Sequence, residues 1–340
     1  MKKYLTDANS ALGYASLQQE NLTGVAHLYF LKNSHDQLTH FLLSNLLNAL
    51  QPQAFELEAI YSSFDTSLLT GLILRDQSIA FVSGKIPPDN AIVLDFLEAY
   101  RPHNQKSILR LKEDMNEQYD KLYQHFHRAL IIHDDWEKIY INNMDFEKAD
   151  ALKEKVITQF FHAPPKDKEG LIVRRFFGAS TTGLYFDFIQ ELTAGLKRYL
   201  IKGRPGTGKS TLMKAVAAHT KALGYNTEVY HCGFDPNSLD MVLVPELGIC
   251  IFDATAPHEY FPTESTDEVI DTYQAFVNPG TDQLFEQALK SISTRYKQEI
   301  KQGIACLKKA HDLRQKINTL YDQALDMDQA LFIFSDAMML

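Results

Sequence analysis

The chain has 340 residues, which is long enough for two domains, and 45% of them are hydrophobic, as is ordinary for a globular protein. Its net charge of −9 argues against a general binder of phosphate backbones, which usually carries a basic surplus. The three cysteines have no paired spacing, and neither a signal-peptide pattern nor an apolar run of about 18 residues occurs. We therefore expect a cytoplasmic protein that contacts neither membranes nor nucleic acid.

Residues 170 positions apart (203 − 33) match along two long stretches of the chain. Beyond these stretches the separation becomes 176 (271 − 95), which an insertion of six residues (176 − 170) near 261–266 explains. Such a constant separation predicts an internal duplication. The matching pairs are Gly13 with Gly183, Tyr29 with Tyr199, Lys32 with Lys202, Phe64 with Phe234, Asp65 with Asp235, Ile79 with Ile249, Pro87 with Pro257, Asp95 with Asp271 and Ala99 with Ala275.

Each half begins with strand-like apolar runs and continues into stretches in which apolar residues recur every three or four positions. Long helices are predicted over 111–140 and 285–320, and a returning helix over 146–160. We expect an α/β fold with duplicated P-loop NTPase-like three-layer domains, each followed by a long α-helical hairpin. The predicted divisions are a degenerate P-loop-like α/β domain at 1–100, a helical hairpin at 101–163, a linker at 164–173, an active P-loop NTPase domain at 174–280 and a helical hairpin at 281–340.

The second half contains the elements that a phosphate site needs. A short apolar strand is predicted over 198–202, before a glycine-rich turn, and a helix from Lys209 to Leu223, with Gly224 as its C-terminal cap. Further strands are predicted over 227–232, 241–244 and 249–252.

The segment Gly203–Ser210 fits the P-loop pattern G-x-x-x-x-G-K-S/T in full. Its glycines allow backbone N–H groups to approach phosphate oxygens, and the helix that follows directs its N-terminal dipole at the same anion. We expect Lys209 to reach the β- and γ-phosphates of ATP and Ser210 to bind Mg²⁺. The predicted nucleotide-binding residues are Gly203, Pro205, Gly206, Thr207, Gly208, Lys209, Ser210 and Thr211.

A second metal ligand and a catalytic base are expected after the neighbouring strands. Asp253 ends a buried apolar run and is predicted to hold Mg²⁺ opposite Ser210. The glutamate that often follows this aspartate is replaced by Ala254, so the base is open between Asp235 and Glu259, with His258 as a further candidate. Each of these has a plainer interpretation as a turn or capping residue.

Several basic residues are candidates for neutralising charge on the γ-phosphate. Arg174 and Arg175 are more simply read as a solvated pair beside the linker, and Arg204 as a solvent-facing loop residue. The remaining candidates are Arg198 and, if the first half lends a residue to the second, Lys85 and Arg75.

The first half has lost the phosphate-binding residues at the matching positions. Lys209 is matched by Thr39, and Asp36 would repel phosphate where the second half has Gly206. We expect the first half to keep the fold without binding nucleotide in this manner. The other replacements are Asn33 for Gly203, Leu38 for Gly208, His40 for Ser210 and Ser83 for Asp253.

Together with the P-loop, the segments 231–240 and 253–258 resemble the little-characterised bacterial tandem P-loop ATPases over nearly the whole chain. That resemblance implies ATP binding, whereas many members carry a P-loop in both halves. We expect a Mg-dependent ATPase; the alternatives are a small-molecule or nucleotide kinase and a nucleotide-sensing scaffold that does not hydrolyse ATP. Expected partners are a nucleoside triphosphate, a protein bound by the helical hairpins, the other half of the chain as a pseudo-dimer and a second copy in a homo-oligomer.

Overall fold

A computed structural model describes residues 1–101, 105–160, 163–182, 184–256 and 258–336. The matches predicted for Gly183 and Pro257 lie outside these ranges. The chain is a mixed α/β protein, as its patterning predicts, and its two halves contain the same succession of strands.

The first half, up to residue 160, contains eight strands and four α-helices among the described residues. Its strands are β1 (Lys2–Leu5), β2 (Asp7–Ser10), β3 (Gly13–Ser16), β4 (His27–Lys32), β5 (Leu57–Tyr61), β6 (Leu69–Leu74), β7 (Ile79–Val82) and β8 (Ile92–Asp95). Its helices are α1 (Gln18–Asn21), α2 (Asp36–Leu50), α3 (Gln105–Ile141) and α4 (Phe146–Phe160), and a 3₁₀ turn covers Leu97–Ala99.

The second half repeats this order, with two additional short helices in the part that the structure describes. Its strands are β9 (Ile172–Phe176), β10 (Gly178–Thr181), β11 (Leu184–Asp187), β12 (Lys197–Lys202), β13 (Thr227–His231), β14 (Leu239–Val244), β15 (Ile249–Asp253) and β16 (Glu268–Asp271). Its helices are α5 (Ile189–Leu192), α6 (Lys209–Ala222), α7 (Thr272–Phe276), α8 (Thr281–Leu284), α9 (Glu286–Ala324) and α10 (Met327–Asp336).

One twelve-stranded sheet runs through both halves in the order β16-β12-β15-β14-β13-β9-β1-β5-β6-β7-β4-β8. Read outwards from the centre, the two halves therefore have the same strand order. Corresponding strands begin 170 residues apart (197 − 27, 227 − 57, 239 − 69, 249 − 79), and the outermost strands 176 apart (268 − 92). The halves meet where β1 and β9 pair in antiparallel fashion at Leu5 and Phe176.

A buried charge network lies beside this central junction. Arg175 of β9 is 2% exposed and donates to Glu58 of the first half at 3.2 Å and to Glu228 of its own half at 2.6 Å. Its guanidinium also stacks on the Tyr4 ring, 3.8 Å from the ring centroid. The expectation of a solvated arginine pair is therefore wrong for Arg175, because β9 begins inside the predicted linker and carries this side chain into the core.

The two long helices pack on one another. Leu122 and Phe126 of α3 share a buried cluster with Cys306, Leu307 and Ala310 of α9. A long helix in each half was predicted, each within a helical hairpin at 101–163 or 281–340, whereas the packing of the two long helices on one another was not predicted. A helical period fixes which face is apolar and leaves the partner unspecified.

The two shorter helices pack on opposite halves. Helix α4 follows the first α/β part, yet its Val156 lies in the core of the second half beside α6 and β13. Helix α10 ends the described chain, and its Ala330 and Phe334 lie in the core of the first half with Phe81 and Leu94. Each half is thus completed by a helix that belongs to the other in sequence. None of the helices in the described residues is long and apolar enough to cross a membrane.

Candidate phosphate site

The segment between β12 and α6 forms a tight loop. Gly206 and Gly208 adopt left-handed backbone angles, with φ of 77° and 73°, a region that glycine enters without steric cost. The Thr207 hydroxyl donates to the Arg204 carbonyl at 2.8 Å, and it also lies 2.8 Å from the Thr272 hydroxyl. A side chain on Gly203 would collide with both threonine hydroxyls, so only glycine fits there. These contacts fix the loop at the end of β12.

The loop brings Lys209 and Asp253 together. Lys209 opens α6, and its Nζ lies 3.0 Å from the Arg204 carbonyl and 3.6 Å from Asp253 Oδ2. Asp253 ends β15, which pairs in parallel with β12, so both side chains emerge at the same edge of the sheet. The other carboxylate oxygen, Oδ1, accepts from the Thr255 backbone N–H at 2.9 Å and from the Thr255 hydroxyl.

Ser210 ties the same helix to the neighbouring strand. Its Oγ accepts from the backbone N–H of Leu239, the first residue of β14, at 2.9 Å. Of the other predicted residues, Pro205 is half-buried, as Lys209 and Ser210 are, and Thr211 is exposed. Lys209, Ser210 and Asp253 therefore lie at the edge of the sheet where β12 and β15 end and β14 begins.

The candidate bases take different positions around this edge. Asp235 is half-buried in a turn after β13, where its Oδ1 accepts from the Asn237 backbone N–H at 3.1 Å. His258 is buried, and its Nε2 lies 3.7 Å from Asp240 Oδ2. Glu259, the next residue, is exposed.

Asp240 is a site residue that the sequence analysis did not select. It is 5% exposed in β14, beside Met241, which pairs with Phe252, the residue before Asp253. The pKa of the Asp240 carboxyl is raised to about 6, mainly by burial and also by the charge of Asp253, while the charge of His258 acts in the opposite direction. The signal was available: Asp240 is the one charged residue in the apolar run Leu239–Val244.

Helix α3 of the first half also reaches the loop, which the sequence analysis did not foresee. A Cβ atom built on Gly206 would lie 2.6 Å from the carbonyl oxygen of Glu137 and 2.8 Å from its Cα atom. The P-loop thus rests directly on the backbone of α3. One helical turn earlier, the pKa of His133 is lowered mainly by burial and also by the charge of Lys209, while the charges of Glu137, Asp134 and Asp235 oppose this.

The predicted arginine and lysine candidates have partners elsewhere. Arg204 lies 2.9 Å from Asp282, Arg198 is paired with Asp267, and Arg174 contacts His231 at 3.0 Å. The two residues proposed for lending from the first half are also engaged there: Arg75 lies 2.8 Å from Glu58, and Lys85 lies over the Tyr14 ring.

The matching loop of the first half is held by protein side chains. Asn33 has a φ of 60°, and its amide donates to Asp95 at 2.7 Å. Asp36, in the slot of Gly206, is paired with Arg314 of α9 at 2.9 Å and accepts from Asn318 at 3.3 Å. Each loop is therefore covered by the long helix of the opposite half.

Comparison of the chain with protein-family models, curated proteins and solved structures finds no match to any of them. The resemblance to tandem P-loop ATPases thus remains an expectation.

Proposed function

We propose that the chain binds a nucleoside triphosphate, ATP with Mg²⁺, at the loop between β12 and α6. The observation that carries this proposal is the meeting of Lys209 Nζ with Asp253 Oδ2 at 3.6 Å beside a loop with two left-handed glycines. A lysine that neutralises the β- and γ-phosphates and an aspartate that holds a cation belong in this arrangement.

The residues present suit such a ligand. Backbone N–H groups at the start of α6 are not bonded within the helix and point towards the loop. Lys209 would exchange its contact with the Arg204 carbonyl for phosphate oxygens, and Ser210 and Asp253 would hold Mg²⁺ by their hydroxyl and carboxylate oxygens. A bound Mg²⁺ would offset charge that develops on the transferred phosphoryl group.

Hydrolysis is the reaction that we propose, at a slow or regulated rate. The position after Asp253 is the fully buried Ala254, which has no group that could accept a proton from water. A base must therefore come from elsewhere around the loop.

We also propose that the two halves arose by duplication, that the first half no longer binds nucleotide, and that the protein acts in the cytoplasm.

Equilibrium binding of a fluorescent ATP analogue, together with phosphate release from Mg·ATP, tests this function. Lys209→Ala should weaken binding by at least about tenfold, since it removes a charge-assisted contact with the phosphates. Lys214→Ala is the matched control, because Lys214 is an exposed lysine on the same helix. Equal binding by wild type and both variants would refute the site; binding without phosphate release would favour a kinase or a nucleotide sensor.

A further inference from the structure

We propose that helix α3, from the first half, completes the nucleotide site of the second half, and that His133 is the proton acceptor for the attacking water. This inference rests on the proposed ATP site. It assigns the missing base to a residue 70 positions before the P-loop (203 − 133).

The first step is the contact between the loop and α3. Gly206 lies against the backbone of Glu137 so closely that even a methyl group would not fit. His133 and Glu137 are four residues apart on the helix and therefore lie on the same face. Their side chains confirm this, because His133 Nδ1 lies 3.7 Å from Glu137 Oε1. The face that touches the P-loop is thus the face that carries His133.

The second step is the set of charged and titratable groups around the imidazole. Glu137 and Asp134 come from α3 itself, Lys209 from the start of α6, and Asp235 from the turn after β13. Tyr296 of α9 packs against the ring, with the ring centroids 5.9 Å apart. The His133 side chain keeps 28% of its surface exposed. The ring is therefore close enough to Lys209 and Asp235 for their charges to act on it, and it remains accessible to water.

The third step is the orientation of the ring. The Glu137 carboxylate lies 3.7 Å from Nδ1, which is beyond hydrogen-bond distance, but its charge favours the neutral tautomer with the hydrogen on that nitrogen. Nε2 then has a free lone pair. Burial and Lys209 both lower the pKa of His133, which favours the neutral form that can accept a proton. Glu137 acts as a positioning residue that also stabilises the imidazolium once it has formed.

The reaction balances with these groups. The water oxygen forms a bond to the γ-phosphorus as the bond from that phosphorus to the β–γ bridging oxygen breaks. One proton of the water passes to His133 Nε2, and the bridging electron pair leaves with ADP. The proton then returns to solvent through the exposed part of the ring.

Single-turnover phosphate release by His133→Gln is the first arm of the test. We expect a loss of about 100-fold or more in rate, as is typical when a general base is removed, with ATP affinity within about twofold of wild type. Glu137→Gln should lose less, about tenfold. His127→Gln is the matched control, since His127 is an exposed histidine on the same helix. In wild type the rate should fall as the pH drops through the pKa of His133, and His133→Gln should lack this dependence.

The second arm does not use turnover. The NMR titration of the His133 ring should shift to higher pH when a non-hydrolysable ATP analogue is bound, because the γ-phosphate adds negative charge, and should shift less with ADP. An unchanged rate in His133→Gln, or a rate lost only in Asp235→Asn, would overturn the assignment while leaving the ATP site intact. ATP binding without phosphate release by wild type would overturn this assignment together with the proposed hydrolysis, while leaving the nucleotide site intact. A wild-type protein that binds no ATP would refute the proposed function as well.

Discussion

The guanidinium of Arg175 in the second half lies 3.2 Å from the carboxylate of Glu58 in the first half, and both side chains are almost fully buried. Removing one partner of such a pair leaves a charge without compensation in the core. We expect Arg175→Met to lower the free energy of unfolding by about 3–5 kcal/mol. Urea denaturation measures this change. Arg174→Met is the control: Arg174 is half-exposed, so its replacement should change the free energy of unfolding by less than about 1 kcal/mol. Equal losses in the two variants would contradict the role of burial.

The pairing of Glu58 with Arg175 should also make the stability of the folded protein depend on pH. Burial alone would raise the pKa of Glu58, but Arg175 and Arg75 outweigh it and lower the value from 4.5 to about 2. Because the pKa is lower in the folded state than in the unfolded state, the stabilisation is complete above pH 4.5 and is lost as the pH falls towards 2. Urea midpoints measured between pH 7 and pH 3 should decline less steeply in Glu58→Gln than in wild type. A parallel decline would show that other carboxylates dominate.

For Asp240 we expect the stability of the folded protein to change with pH in the opposite direction. Its folded-state pKa is raised to about 6, mainly by burial, so its contribution favours the folded state at low pH and is lost as the pH rises from 3.8 through 6. Asp240→Asn removes the buried charge and should raise the melting temperature at pH 7 relative to wild type, with little change at pH 4. Differential scanning fluorimetry without nucleotide makes this comparison. A variant that is less stable at both pH values would show that hydrogen bonds of Asp240 matter more than its charge.

Helices α3 and α9 approach each other closely at Gly303. A Cβ atom at this position would lie 2.6 Å from Cε1 of Phe126 and 2.7 Å from its Cδ1. Alanine is a better helix former than glycine by about 1 kcal/mol, yet we expect Gly303→Ala to destabilise the protein by about 1–3 kcal/mol because the helices must separate. The double variant with Phe126→Leu should recover part of the loss. Lys301→Ala, at an exposed position of α9, is the control, and a more stable Gly303→Ala would indicate looser packing.

Local patterns in the sequence predicted the elements of the phosphate loop well. The strand Lys197–Lys202, the helix from Lys209 and the strand that ends at Asp253 follow from apolar runs, a glycine-rich turn and a terminal carboxylate. These signals are local, because each lies within a few residues of the feature that it predicts.

Contacts between distant segments could not be predicted in the same way. Arg175 is buried because Glu58 and Glu228 are brought to it by neighbouring strands, and nothing adjacent in sequence indicates them. The approach of His133 to the loop depends on the crossing of α3 over the second half. A helical period shows that a helix has an apolar face, and the partner of that face is decided by the tertiary packing.

The crossed positions of α4 and α10 have a consequence for how the chain can be divided. Two copies of a single-half protein that exchanged their terminal helices, and were then joined end to end, would have this arrangement. The segment 163–171 is therefore a tether within one cooperative folding unit rather than a boundary between two independent ones. A chain cleaved there should stay associated as two fragments, and neither fragment should reach the native state when it is produced alone.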